Sequence, residues 1–249
     1  MNQEGASGPT APPVLRLFTY FRSSASYRVR IALNLKGLAY EPVYRHLRYD
    51  EHLAPDHLSL NPEGLLPVLQ HGDVTLTQSL AIIEYLDELF PVPRLLPTDA
   101  VARAQARALA QSIACEIHAP TNLRVTRYLK SAMGQDAESI GAWSRHWMAL
   151  GFTALEARAV ALSTGRRYLV GDSMTIADLC LVPQMYNARR QQLDLAPFPT
   201  LVAISGHLES LPAFAAAARM ESSSTRPWNA WARFEAASAA PCAAANCLS

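Results

Sequence analysis

The chain has 249 residues, 50% of them hydrophobic, enough to bury a substantial core in one large or two modest domains. Its net charge of +1 leaves no polyanion footprint, and with no basic run interleaved with aromatics, nucleic acid is not an expected partner. Four cysteines (Cys115, Cys180, Cys242, Cys247) without disulfide or metal-ligand spacing, seven histidines equally unpatterned, and no apolar run of membrane-span length predict a metal-free chain of a reducing compartment that enters no membrane.

Residues 14–19 alternate like a strand, and Val29, Ala32 and Leu33 are spaced like one helical face. Ser23, Ser24 and Ser26 therefore fall at a strand-to-helix junction flanked by Arg22 and Arg28. Unpaired N–H groups and the positive end of the helix dipole favour an anion there. The serines read either as helix caps or as donors to a bound thiolate or carboxylate. The helical pattern reaches Lys36 and stops at Gly37. Residues 38–47 then read as a second strand despite Pro42, completing a βαβ unit with a parallel pair. Residues 51–60 are a short polar helix or loop.

Pro67 opens the apolar run Val68-Leu69, which suggests an edge, a bulge or a cis bond. His71-Gly72-Asp73 predicts a hairpin turn into Val74-Thr75-Leu76. Gln78-Ser79 then starts a helix whose expected buried face is Ile82, Ile83, Leu86 and Leu89, again with polar groups at a helix N-terminus. Pro91-Val92-Pro93 ends it and begins a linker through Asp99. This places one domain at 15–90, a linker at 91–99 and a second domain at 100–220.

From Ala100 onward the pattern is helical throughout. Gln111, Cys115, His118 and Asn122, three or four residues apart, are expected on one face of the first long helix of this half, either solvated or turned to a site. Thr175 and Asp178 have the form of a capping box, with Met174 and Leu179 as its staple, which assigns Asp178 to folding. Arg189-Arg190 reads as surface charge or as a grip for a carboxylate. Residues 1–14 and 221–249, the latter rich in Ala and Ser around Trp228 and Trp231, are expected to be flexible tails. The start lacks the pattern of a signal peptide, and Cys247-Leu248-Ser249 is one residue short of a prenylation box, so a cytoplasmic location is expected. Neither a Gly-rich phosphate loop nor a Gly-x-Ser-x-Gly elbow is present.

The stretch Tyr20-Phe-Arg-Ser-Ser-Ala-Ser-Tyr-Arg-Val-Arg-Ile-Ala-Leu33 closely resembles the Ser-Ser-Cys-x-Trp-Arg-Val-Arg-Ile-Ala-Leu signature of zeta-class glutathione transferases, with Ala25 at the cysteine and Tyr27 at the tryptophan. The resemblance extends through Asn61-Pro62, Leu66-Pro67, Gln78-Ser79-Leu80-Ala81-Ile82-Ile83-Glu84-Tyr85-Leu86, Pro93-Arg94-Leu95-Leu96-Pro97 and Asp178-Leu179-Cys180-Leu181-Val182-Pro183-Gln184, covering about residues 15–220. It implies an α/β thioredoxin-like N-terminal domain followed by an all-α C-terminal domain, a homodimer, and glutathione as cofactor. It implies that Pro67 is cis and that the backbone of Leu66 meets the cysteinyl part of glutathione. Gln78 and Ser79 are expected to hold the γ-glutamyl carboxylate. Ser23, Ser24, Ala25, Ser26, Tyr27, Arg28, His52, His118, Asn122, Leu123 and Arg124 complete the expected glutathione site.

Ser23, Ser24, Arg22 and Arg190 are the expected catalytic set, the arginines because a guanidinium suits a carboxylate. Several of them facing one pocket imply a small dicarboxylate substrate. The implied reaction is glutathione-dependent cis–trans isomerisation of maleylacetoacetate to fumarylacetoacetate, in tyrosine breakdown. Maleylpyruvate isomerisation, conjugation of glutathione to small haloacids or other electrophiles, and a non-catalytic binding module are the alternatives.

Overall fold

A computed structural model of the chain describes residues 14–218. The expected tails, apart from Val14, and residues 219–220 of the expected second domain lie outside the described residues, as do Cys242 and Cys247. The first half begins with strand β1 (Leu15–Thr19), helix α1 (Ser24–Leu35) and strand β2 (Tyr40–Tyr44). Two 3-10 turns, Leu47–Tyr49 and Glu51–Leu53, and the short helix α2 (Pro55–Leu58) lead to β3 (Val68–His71), β4 (Val74–Thr77) and α3 (Ser79–Leu89). The strands form one sheet in the order β2-β1-β3-β4, with β1 parallel to β2 and antiparallel to β3. Pro42 is tolerated because β2 is an edge strand, where a missing N–H breaks no interior ladder. Successive side chains alternate between the faces of the sheet. Leu15, Leu17 and Leu69 point to the main core with α1 and α3, while Phe18 and Val68 pack with Tyr20 and Leu66 beneath the 47–60 segment.

Helix α1 stops where expected. Gly37 adopts φ +63°, which costs an ordinary residue strain, and its N–H returns to the carbonyl of Asn34. Helix α3 departs from its predicted face: Ile82, Ile83 and Leu86 are buried, but Leu89 is 49% exposed. It lies in the last turn, where the chain leaves the core toward Pro91, and Phe90 ends the helix instead. The Leu66–Pro67 peptide is cis, as the resemblance implied, and so is Val92–Pro93.

The second half is built from α4 (Ala100–Gln111), a seven-residue π-helical stretch (Ser112–His118), α5 (Ala119–Thr121), α6 (Leu123–Ser131), α7 (Ala137–Leu162), α8 (Ile176–Arg190), α9 (Pro199–Glu209) and α10 (Pro212–Ala218). Side chains of Asp99, Asn122 and Asp136 cap α4, α6 and α7 through the N–H groups of Ala102, Val125 and Ser139. Asp178 is fully buried. Its carboxylate accepts from the N–H and hydroxyl of Thr175 and from the N–H of Leu169, the structural role its capping box predicts.

One apolar cluster runs through both halves, from Leu17 and Ile31 to Leu109 and Leu179. A buried ion pair fixes their junction. Lys36 Nζ donates to Asp87 and to the carbonyls of Phe90 and Pro93, while Asp87 accepts from the N–H groups of Leu95 and Leu96. Each buried charge is thus paired and hydrogen-bonded, the condition under which burial is tolerated.

Candidate active site

The N-termini of α1 and α3, the strand entry at Pro67, the π-helical stretch and the C-terminal turn of α8 enclose a cavity of about 1220 Å³. At its floor Ser23 is the N-cap of α1, and its Oγ accepts from Ser26 N at 3.1 Å. Ser24 Oγ accepts from Asn187 Nδ2 at 2.7 Å. Ser79, in the first turn of α3, accepts at its Oγ from Arg28 Nη1 at 3.2 Å. In all three hydroxyls the oxygen already serves a chain donor, which leaves the hydrogen free to donate into the cavity. Three hydroxyl donors beside two helix N-termini select acceptors bearing negative charge, such as a thiolate or a carboxylate.

Charge reinforces that selection. The cavity wall carries seven arginines and one acidic residue, Glu116. Arg28 is only 2% exposed, and its Nε and Nη2 have no hydrogen-bond partner among the described residues. A buried, under-bonded guanidinium is costly unless an anion or ordered water answers it. The structure therefore fits an anionic ligand. On the π-helical stretch, burial first and the charge of Arg28 second push the pKa of His118 down to about 3. His118 is therefore neutral near neutral pH and serves as a polar contact, not as a cation. Burial also lowers the pKa of His52.

Most of the expected residues meet here. Arg22, Ser23, Ser24, Ala25, Arg28 and His52 line the cavity, as do Leu66, Gln78, Ser79, His118, Asn122, Leu123, Arg124 and Arg190. Ser26 and Tyr27 do not, which corrects the expectation for both. On α1 the residues Ser24, Ala25 and Arg28 share the cavity face, whereas Tyr27, Arg30 and Asn34 share another that docks on α10. There Tyr27 donates to the carbonyl of Phe214, Arg30 to that of Ala217 and Asn34 to that of Ala213. Ser26 is fully buried and contributes its backbone N–H to the cap.

The predicted helical face from Gln111 to Asn122 also needs correction. Helix α4 ends at Gln111, the π-helical stretch follows, and Asn122 is the extended N-cap of α6 (φ −74°, ψ 167°). All four of its polar residues still reach the cavity, because the wider π turn re-aims Cys115 and His118 toward it. The paired arginines separate: Arg189 binds Glu209 at 2.6 Å on the surface, and Arg190 lines the cavity. Arg124 Nη2 donates to the Glu63 carbonyl and the amide of Gln78 to the Glu63 carboxylate, so both expected ligand contacts also brace the 61–64 loop. Asn187, Gln191 and Arg158 line the cavity without having been expected there. For the first two a signal existed, since Asn187, Arg190 and Gln191 stand at i, i+3 and i+4 at the end of a mostly apolar helix.

Comparison with known proteins matches residues 13–88 to the glutathione S-transferase N-terminal domain family and residues 151–212 to the glutathione S-transferase C-terminal domain family. A probable maleylacetoacetate isomerase of Vibrio cholerae is 49% identical over 207 residues, 82% of this chain and 95% of that protein. A solved holo structure of maleylpyruvate isomerase, described as a bacterial glutathione S-transferase of the zeta class, superposes with a TM-score of 0.79 at 43% identity. It covers 83% of this chain and 99% of that one. The structure of a Methylobacterium extorquens maleylacetoacetate isomerase with bound malonate and glutathione superposes with a TM-score of 0.76 at 39% identity, over 81% and 95% of the two chains.

Proposed function

The chain belongs to the zeta class of the glutathione S-transferase family, and from that premise we propose that it isomerises maleylacetoacetate to fumarylacetoacetate with glutathione as cofactor. The observation that carries this reading is the cavity itself, where hydroxyl donors at two helix N-termini lie under a wall of seven arginines. When bound, glutathione supplies a sulfur nucleophile that adds to the conjugated cis double bond and departs once the bond has rotated. The residues here do the rest. Ser23 and Ser24 donate to the sulfur, favouring the thiolate over a thiol whose free pKa is about 8.5. Gln78, Ser79 and, behind Ser79, the buried Arg28 hold the γ-glutamyl carboxylate. The backbone of Leu66 pairs with the cysteinyl segment, and His52, Ala25, His118, Asn122, Leu123 and Arg124 close the wall around the peptide.

Arg190, Arg22 and Arg124 grip the substrate carboxylates so that rotation occurs in place, which is catalysis by positioning and electrostatics. Maleylpyruvate, a shorter dicarboxylate, is the second reading, favoured by the similarity to the holo maleylpyruvate isomerase. We also propose a cytoplasmic homodimer. Membership of the family carries the dimer reading. Assaying the two substrates side by side with saturating glutathione tests the reading. Maleylacetoacetate should have the higher kcat/KM; a preference for maleylpyruvate would replace the first reading by the second, and net conjugation without isomerisation would replace both.

A further inference from the structure

One contact joins the floor of the cavity to the helix that carries the substrate grip. Asn187, half-buried on α8, donates from Nδ2 to Ser24 Oγ at 2.7 Å, across 163 positions of sequence. Ser24 is 5% exposed, and both residues line the cavity. Arg190 follows Asn187 by three positions on the same helix, so the two share a face and both reach the cavity.

We propose that Asn187 is a positioning residue, whose amide occupies Ser24 Oγ as an acceptor and so makes Ser24 a second hydroxyl donor to the sulfur served by Ser23. A serine facing an acceptor-only neighbour spends its hydrogen on that neighbour, whereas one facing an N–H keeps its hydrogen for the ligand. Ser23 is set in the same way by the backbone N–H of Ser26, and Ala25 offers no thiol to substitute for either donor. Helix α8 thus sets both the sulfur site and the carboxylate grip, which couples the two ends of the reaction through one rigid element.

The inference rests on the glutathione-dependent reading, and its test separates the two. The ultraviolet absorbance of the bound thiolate is followed against pH for the full-length protein with glutathione, alongside turnover at saturating glutathione. Wild-type protein should ionise the bound thiol below the range of the free thiol. Asn187→Ala should shift that ionisation up by about one pH unit and lower turnover about tenfold, the scale of one charge-assisted hydrogen bond, with little change in KM for the dicarboxylate. Asn187→Asp keeps the shape but can only accept from Ser24, so it should shift the ionisation at least as far. In a Ser24→Ala background, Asn187→Ala should have no further effect. Wild-type-like ionisation in Asn187→Asp would reduce Asn187 to a tether and overturn the proposal, as would an Asn187→Ala effect that persists at full size without Ser24. A wild-type protein that does not ionise the bound thiol would overturn the glutathione reading and this inference together.

Discussion

Ser23 and Ser79 stand at the starts of two helices and face one cavity, yet their surroundings assign them different work. Ser79 is backed by Arg28, a buried cation whose remaining nitrogens await an anion, so it belongs to binding. Ser79→Ala should weaken glutathione binding by roughly 1–3 kcal/mol, the range for hydrogen bonds to a charged group, with turnover at saturation nearly intact. Ser23→Ala should instead lower turnover at saturating glutathione. Identical kinetic patterns would refute this division. His118 carries a second residue-scale consequence. Its folded pKa, lowered to about 3, lies below the ordinary 6.5, so between those values the unfolded chain takes up a proton that the folded one refuses. Stability therefore falls as the pH drops from about 6.5, by up to about 2 kcal/mol at about pH 5. In His118→Asn the loss of unfolding free energy between about pH 7 and about pH 5 should shrink by that order, and an unchanged loss would contradict the burial argument. Ser23, Gln78 and Ser79 were legible in the sequence because capping chemistry and anion chemistry use the same positions at a helix start. Asn187 had a local signal in its i, i+3, i+4 spacing with Arg190 and Gln191, but its bond to Ser24 was not legible, because that partner lies 163 residues away.

At the scale of elements, strand and hairpin periods and the glycine after α1 were readable because the forces that set them are local. The π-helical stretch Ser112–His118 was not: a 3.6-residue period cannot announce a wider turn, and the extra room it needs is supplied elsewhere in the chain. That room is at Gly151 in α7. A Cβ there would lie 2.3 Å from Cγ1 and 2.6 Å from Cδ1 of the buried Ile117, so only glycine lets α7 approach the stretch that aims Cys115 and His118. In most helices Gly→Ala stabilises by roughly 1 kcal/mol. Here overpacking should win, and Gly151→Ala should cost about 1–3 kcal/mol and lower turnover. Adding Ile117→Ala should recover much of the turnover by returning the volume. A Gly151→Ala protein of unchanged stability and activity would show that α7 does not hold the π turn in place.

Across the whole molecule, the two halves divide the chemistry: α1 and α3 of the sheet half offer hydroxyl donors, and the helical half brings most of the arginines over them. Net charge conceals this, since a chain at +1 overall concentrates seven arginines against one glutamate in a single cavity. A conjugating transferase needs room for an apolar electrophile, whereas an isomerase must grip charged ends while the middle turns. Arg190→Ala should therefore raise KM for a dicarboxylate about tenfold or more and leave conjugation of an uncharged electrophile nearly unchanged. Equal loss of both activities would move Arg190 to the glutathione site or to folding. The most direct measurement follows fumarylacetoacetate and glutathione together in one reaction of purified protein with maleylacetoacetate, with and without the thiol. Ala25 leaves no thiol beside Ser23, and among the described residues Cys115 is the cysteine that lines the cavity, so Cys115→Ser is run in parallel. The predicted result, for both proteins, is product formation only when glutathione is present, with the glutathione recovered in full. Turnover without added thiol, or stoichiometric loss of glutathione, would contradict it.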